Sequence, residues 1–216
     1  MERILNIYLH LPKCGGMSVT DALKAGLGED RVQIFPNFAI DTEVKLKTRV
    51  VIGHLKFGCH KDVFPPVEDI RYLTMVREPV ERLYSHWAYL QRQGRMELPI
   101  ADFLESKRAI VDNLQVRMLT GRDWLEWAEI GEPITEKDLR QAKYNIAQHF
   151  DWVGVMDHFG ASIARLSLYL KADLPALHHN KWNMREPIPP ELAERARELN
   201  EYDAQLYQWV KETYYP

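Results

Sequence analysis

Apolar positions recur along the chain with two periods, and the switches between them predict the elements. Ile4–Leu9 (ILNIYL) is a short β-rich run, stopped by the Pro-Lys-Cys-Gly-Gly turn that follows. Ser18–Leu27 (SVTDALKAGL) reads as a helix closed by Gly28. Val50–Ile52, just before Gly53, predicts a second strand. Ile70–Val76 predicts a third, apolar at nearly every position after Arg71, as in a sheet covered on both faces. It runs into a helix with Pro79 near its first turn and Val80, Leu83, Trp87 and Leu90 on one stripe. Further helices are predicted at Ile100–Ser106, Val111–Leu119, Glu136–Phe150 and His158–Leu170. Asp151–Met156 (DWVGVM), between the last two, is too short and too β-rich for a helix and reads as a fourth strand. Pro189–Tyr214 reads as a long amphipathic helix broken near Asn200. Strands alternating with helices imply a three-layer α/β/α fold around a mainly parallel sheet with right-handed crossovers. Gly121–Pro133 has glycines near both ends and a closing proline, and reads mainly as loop.

Composition narrows this picture. A chain of 216 residues with no linker rich in Pro, Gly or Ser predicts a single domain over residues 1–216. Hydrophobic residues at 46% and charged residues at 27% exclude global disorder and coiled coil. The balance of 28 Lys+Arg against 31 Asp+Glu gives 28 − 31 = −3, without the basic excess of a non-specific nucleic-acid binder. A local basic site for an anion remains compatible with that average. The two cysteines, Cys14 and Cys59, make no disulfide scaffold, and no His/Cys/Asp/Glu cluster has metal-ligand spacing, so no metal is expected. No apolar run approaches the ~18–20 residues of a membrane span. With no signal-peptide pattern at the start, the expectation is a cytoplasmic protein.

The strongest local signal is strand–LPKCGGMSVT–helix. A strand, a tight Gly-containing turn and a helix N-terminus make an anion cradle, in which backbone N–H groups and the helix dipole favour negative charge. Lys13 adds a charge and Ser18 a hydroxyl, and Gly15 and Gly16 permit a close backbone approach. A plain turn with an exposed Lys is the competing reading. The lysine precedes the glycines, unlike the G-K-[ST] order of nucleoside triphosphatases. The second signal is YLTMVREPVERLYSHW. Arg77 follows a buried strand and Ser85 lies eight residues on, in the next helix. An Arg fork suits a phosphate, and in open parallel sheets ligands gather at the carboxyl ends of the strands. Arg77 paired with Glu78 or Glu81 on the surface is the alternative. His54 ends the second strand, where an imidazole with its ordinary pKa of ~6.5 suits a general base. His60 is the rival base. Cys14 reads as a small filler of the loop.

Together, PKCGGMS and R-E-P-V-E-R-L-Y-S resemble the two phosphosulfate-binding motifs of the sulfotransferases, whose fold is P-loop-like. The nearer resemblance is to the carbohydrate sulfotransferases of the uronyl and heparan sulfate 2-O branch, through IGHLKFG and LRQAKYNIAQHFDWVGVMDHF. It spans about residues 7–170. The resemblance implies 3′-phosphoadenosine 5′-phosphosulfate (PAPS) as sulfuryl donor and a hydroxyl acceptor of the saccharide class. It implies that Lys13, Cys14, Gly15, Gly16, Met17 and Ser18 hold the 5′-phosphosulfate and Arg77 and Ser85 the 3′-phosphate. His54 is then the base, and Lys13 also stabilises the leaving phosphate. Met17 stands where the family often has a hydroxyl residue. Lys181 and Arg185 fall where the family has a loop near the 3′-phosphate. A P-loop kinase using ATP and a non-catalytic nucleotide-binding protein are the alternatives. Asn113 and Arg117 share a helix face and either reach an acceptor or lie on a solvated surface. Trp124 and Trp127 are either a sugar platform or a loop anchor.

Overall fold

The computed structural model describes residues 4–35, 44–63, 69–125, 128–177 and 188–216. Among these residues five strands, β1 (Ile4–Leu9), β2 (Val32–Ile34), β3 (Val50–Gly53), β4 (Asp69–Val76) and β5 (Phe150–Val155), form one parallel sheet in the order β2-β3-β1-β4-β5. The first strand lies in the middle, with Ile7 opposite Val51 of β3 on one side and Tyr72 of β4 on the other. The helices are α1 (Gly16–Leu27), α2 (His60–Val63), α3 (Pro79–Arg92), α4 (Ile100–Leu104), α5 (Leu114–Leu119), α6 (Glu136–His149), α7 (Phe159–Leu170), α8 (Pro190–Leu199) and α9 (Glu201–Tyr214).

The two-residue period of the strands sorts their side chains into two cores. Leu5, Ile7 and Leu9 enter one, with Leu83 of α3, Val116 of α5, Ile146 of α6 and Leu206 of α9. Tyr8 enters the other, with Val19 and Leu23 of α1 and Ile163 and Leu166 of α7. Both faces are therefore covered, which is why β1 and β4 read as nearly continuous apolar runs.

Four strands stand where the apolar pattern places them. β2 was not visible in it. That strand has three residues and, among the described residues, pairs only with β3, and Ile34 is 49% exposed, so it carries no buried alternation. The break at Asn200 has a cause: its Nδ2 donates to the Val111 and Ala196 carbonyls at 2.9 and 3.0 Å, ending α8. Among the described residues no helix is long and apolar enough to cross a membrane.

α5 and α9 cap each other. Asn113, just before α5, accepts the Tyr202 and Asp203 N–H groups at 2.8 and 3.0 Å. The Asp203 carboxylate in turn accepts the Gln115 and Val116 N–H groups at 3.0 and 2.8 Å. Arg117 is buried, pairs with Asp112 and reaches the Glu132 carbonyl at 3.5 Å. Asn113 and Arg117 thus hold helices and a loop together and do not lie on a solvated surface.

Candidate active site

Because the sheet is parallel, the carboxyl ends of β1, β3 and β4 bring the first loop, His54 and Arg77 to one edge. The loop turns through two left-handed residues, Lys13 (φ 67°) and Gly15 (φ 76°). Its glycines are required by neighbouring side chains. A Cβ on Gly16 would lie 1.9 Å from the His10 ring, and one on Gly15 would lie 2.6 Å from Met156 Sδ. The N-terminus of α1 carries no side-chain cap and no acidic residue in its first turn. α3 differs, its Glu78 carboxylate accepting the Glu81 N–H at 2.8 Å, and α6 has a full capping box from Thr135 and Asp138. First-turn N–H groups without a side-chain cap are what an anion uses.

Cations gather on the β4 side of the loop. Arg77 Nη1 donates to the Lys13 carbonyl at 3.1 Å, and Nη2 donates to Glu81 at 3.4 Å. Arg77 Nε is buried with no hydrogen-bond partner among the described residues. Lys13 Nζ lies 4.3 Å from the centre of the Tyr89 ring. Burial lowers the Lys13 pKa, and the positive charges of Arg92 and Arg77 lower it further. Three cations in mutual repulsion beside uncapped N–H groups form a site that an anion relieves. Ser85 is buried on α3. Tyr89 and Arg92 follow it at spacings of four and seven residues, on the same face of the helix. Sequence reading missed both, although that spacing from Ser85 is the signal that finds them.

His54 occupies the β3 side. Its Nδ1 lies 2.8 Å from the His10 carbonyl. A carbonyl only accepts, so Nδ1 carries the proton and Nε2 holds the lone pair of the neutral ring. The ring stacks on His10 at 4.3 Å between centroids and meets buried Trp124 edge-on at 5.7 Å. Trp124 is thus a loop anchor packed against His54. Burial lowers the pKa of His10 to about 3, helped by His54 and Lys13, which keeps it neutral near pH 7. A cleft of about 360 Å³ opens beside His54, lined by Gly53, Phe35, Ile34 and one stripe of α1: Met17, Thr20, Asp21 and Lys24. His60 is held elsewhere. Its Nδ1 is 2.6 Å from the Tyr72 hydroxyl, and Tyr72 sits opposite Ile7 in the body of the sheet, not at its edge.

The other expected contacts divide as follows. Cys14 is fully buried, with Sγ 3.7 Å from Gln115 Oε1, and burial pushes its thiol up to about 12. Its side chain faces the core, leaving its backbone to the loop. Ser18 is buried at the start of α1, and Met17 is 61% exposed on the cleft side. Lys181, Arg185 and Trp127 lie outside the described residues. Among the described residues no group of three or more His, Cys, Asp or Glu is placed to hold a metal ion.

No protein-family model matches the chain, and no curated protein matches it. Among solved structures it is similar to a sulfotransferase from Alicyclobacillus acidocaldarius. That likeness has a TM-score of 0.56 at 15% identity, over 98% of this chain and 97% of that one. It is also similar to mouse sulfotransferase SULT7A1 complexed with PAP, with a TM-score of 0.47 at 14% identity, over 92% of this chain and 65% of that one. The first likeness shows the fold, a parallel α/β sheet flanked by helices, shared along nearly the whole of both chains.

Proposed function

We propose that residues 1–216 form one sulfotransferase domain that takes a sulfuryl group from PAPS and delivers it to the hydroxyl of an acceptor, for which the sequence resemblance favours a saccharide. One observation carries the reading: a cationic anion site and a tautomer-fixed histidine stand on opposite sides of the same uncapped helix N-terminus. Since β1 lies between β3 and β4, its loop separates the two.

The residues fit a nucleotide with two anionic ends. The α1 N–H groups and Lys13 suit the 5′ end, and the buried Nε of Arg77, with Ser85 and Arg92, suits the 3′-phosphate. PAPS supplies the sulfuryl group, which passes to the acceptor oxygen as the bond to the 5′-phosphate breaks. The chain's own part is positioning and charge stabilisation. His54 Nε2 accepts the acceptor's proton, while Nδ1–H on the His10 carbonyl keeps the ring from turning. The cleft beside His54 seats the acceptor.

The test is titration with 3′-phosphoadenosine 5′-phosphate (PAP), adenosine 5′-phosphate and ATP, followed by turnover with radiolabelled PAPS. PAP is expected to bind about 10- to 100-fold tighter than adenosine 5′-phosphate, the scale of a lost charge-assisted contact. Equal affinities overturn the 3′-phosphate site. A preference for ATP with no sulfuryl transfer points to a kinase.

A further inference from the structure

Gln115 is wholly buried, two residues beyond the cap at Asn113. Its Oε1 accepts the Arg77 backbone N–H at 3.0 Å, and its Nε2 donates to the Arg77 carbonyl at 3.0 Å. One side-chain amide thus gives Arg77 the pair of bonds that a neighbouring strand would give. The ladder between β4 and β5 ends one residue earlier, at Val76 opposite Val155. Gln115 extends it across the point where the chain leaves the sheet for α3. Its place is fixed in turn, since the Gln115 N–H donates to the Asp203 carboxylate at 3.0 Å. Cys14 Sγ, a weak donor, also approaches Oε1, at 3.7 Å.

We infer that Gln115 is a positioning residue for the anion site. It holds the Arg77 backbone so that Nη1 meets the Lys13 carbonyl and Nε stays beside the loop. This rests on Arg77 binding the 3′-phosphate. The chemistry admits few substitutes, because the site needs a donor and an acceptor on one planar group. A carboxylate supplies only acceptors and would face the Arg77 carbonyl. A protonated carboxylic acid has both.

The test compares PAP with adenosine 5′-phosphate by calorimetric titration in the full chain, its Arg77→Ala variant, Gln115→Leu and Gln115→Glu. Absence of a preference for PAP in the wild type overturns the reading of Arg77 and the role of Gln115 with it. Where the preference exists and Arg77→Ala abolishes it, the 3′-phosphate reading stands. Gln115→Leu should then lose most of the preference, about 10-fold or more, with adenosine 5′-phosphate affinity within about threefold of wild type. A folded Gln115→Leu that keeps the preference, or that loses both affinities equally, overturns the positioning role. Gln115→Glu carries the test if the leucine variant does not fold. Its preference, taken relative to wild type at each pH, should be low at pH 7.5 and recover as acid protonates the new carboxyl. Failure to recover counts against the proposal.

Discussion

A single proton on His54 Nδ1 decides which end of the ring can act as a base, and the His10 carbonyl puts it there. His54→Ala should therefore lower kcat by roughly 10²–10⁴ and leave PAP affinity within about threefold. Steady-state rates and titration check both numbers, and a variant keeping more than about a tenth of kcat makes His54 structural. His10 is a different kind of histidine. Its pKa falls from an ordinary 6.5 to about 3 on folding, chiefly by burial. Between those values the unfolded chain binds a proton that the folded chain does not, so stability present above pH 6.5 is lost as pH falls toward 3. By pH 5 the loss from this residue should be about 2 kcal/mol relative to pH 7. Urea unfolding at both pH values should show the wild type losing that much more than His10→Asn. Equal losses would remove His10 as the cause. The sequence marked His54 through its place after a strand, but His10 was only one more histidine nearby. Its importance lies in filling the space that Gly16 leaves, a contact with no local pattern.

At the scale of elements, the reciprocal caps hold α5, a helix of six residues that is too short to persist alone. Asn113→Ala leaves the Tyr202 and Asp203 N–H groups without their acceptor and should cost about 1–3 kcal/mol. Asp203→Ala frees the Gln115 and Val116 N–H groups, and it also removes a buried carboxylate that faces the buried Arg82 guanidinium. The double variant should lose less than the sum, since both caps join the same two helix ends. Chemical denaturation of the four proteins measures this, and additivity within about 0.5 kcal/mol would mean that the caps are independent. These residues show where sequence reading ended. Asn113 and Arg117 have the spacing of a helix face, but three of the partners of Asn113 lie 86 to 90 residues away. Period identifies an element, while the purpose of a buried polar side chain depends on tertiary neighbours. The strands β1 and β4 were legible because burial on both faces makes them apolar throughout. Three residues of edge strand at β2 carry no such mark.

For the molecule as a whole, a ligand joining α1, α3 and the strand ends should stabilise every element they touch. PAP at about 100 times its Kd adds about 2.7 kcal/mol to unfolding, if it binds only the folded chain. For a domain of this size that is a rise in Tm of roughly 5–10 °C. Thermal melts with and without PAP check it, and Arg77→Ala should show a smaller rise at the same concentration. The α/β layering was readable along the chain, and so were the two candidate anion motifs, while the cations Lys13, Arg77 and Arg92 were brought together only through the sheet order. That order also governs how the protein is made. β1 leaves the ribosome first, yet both its neighbours come later, and the Thr74 hydroxyl bond to the Leu9 carbonyl spans 65 residues. The bond from Gln115 to Asp203 spans 88. Such distant closures are slow, and an unpaired apolar strand is exposed to aggregation while it waits. A nascent chain stalled after α7 already contains Lys13, His54, Arg77 and Ser85, but lacks the cap that seats Gln115. Nucleotide binding should therefore appear late in synthesis, only after α9 has emerged and docked.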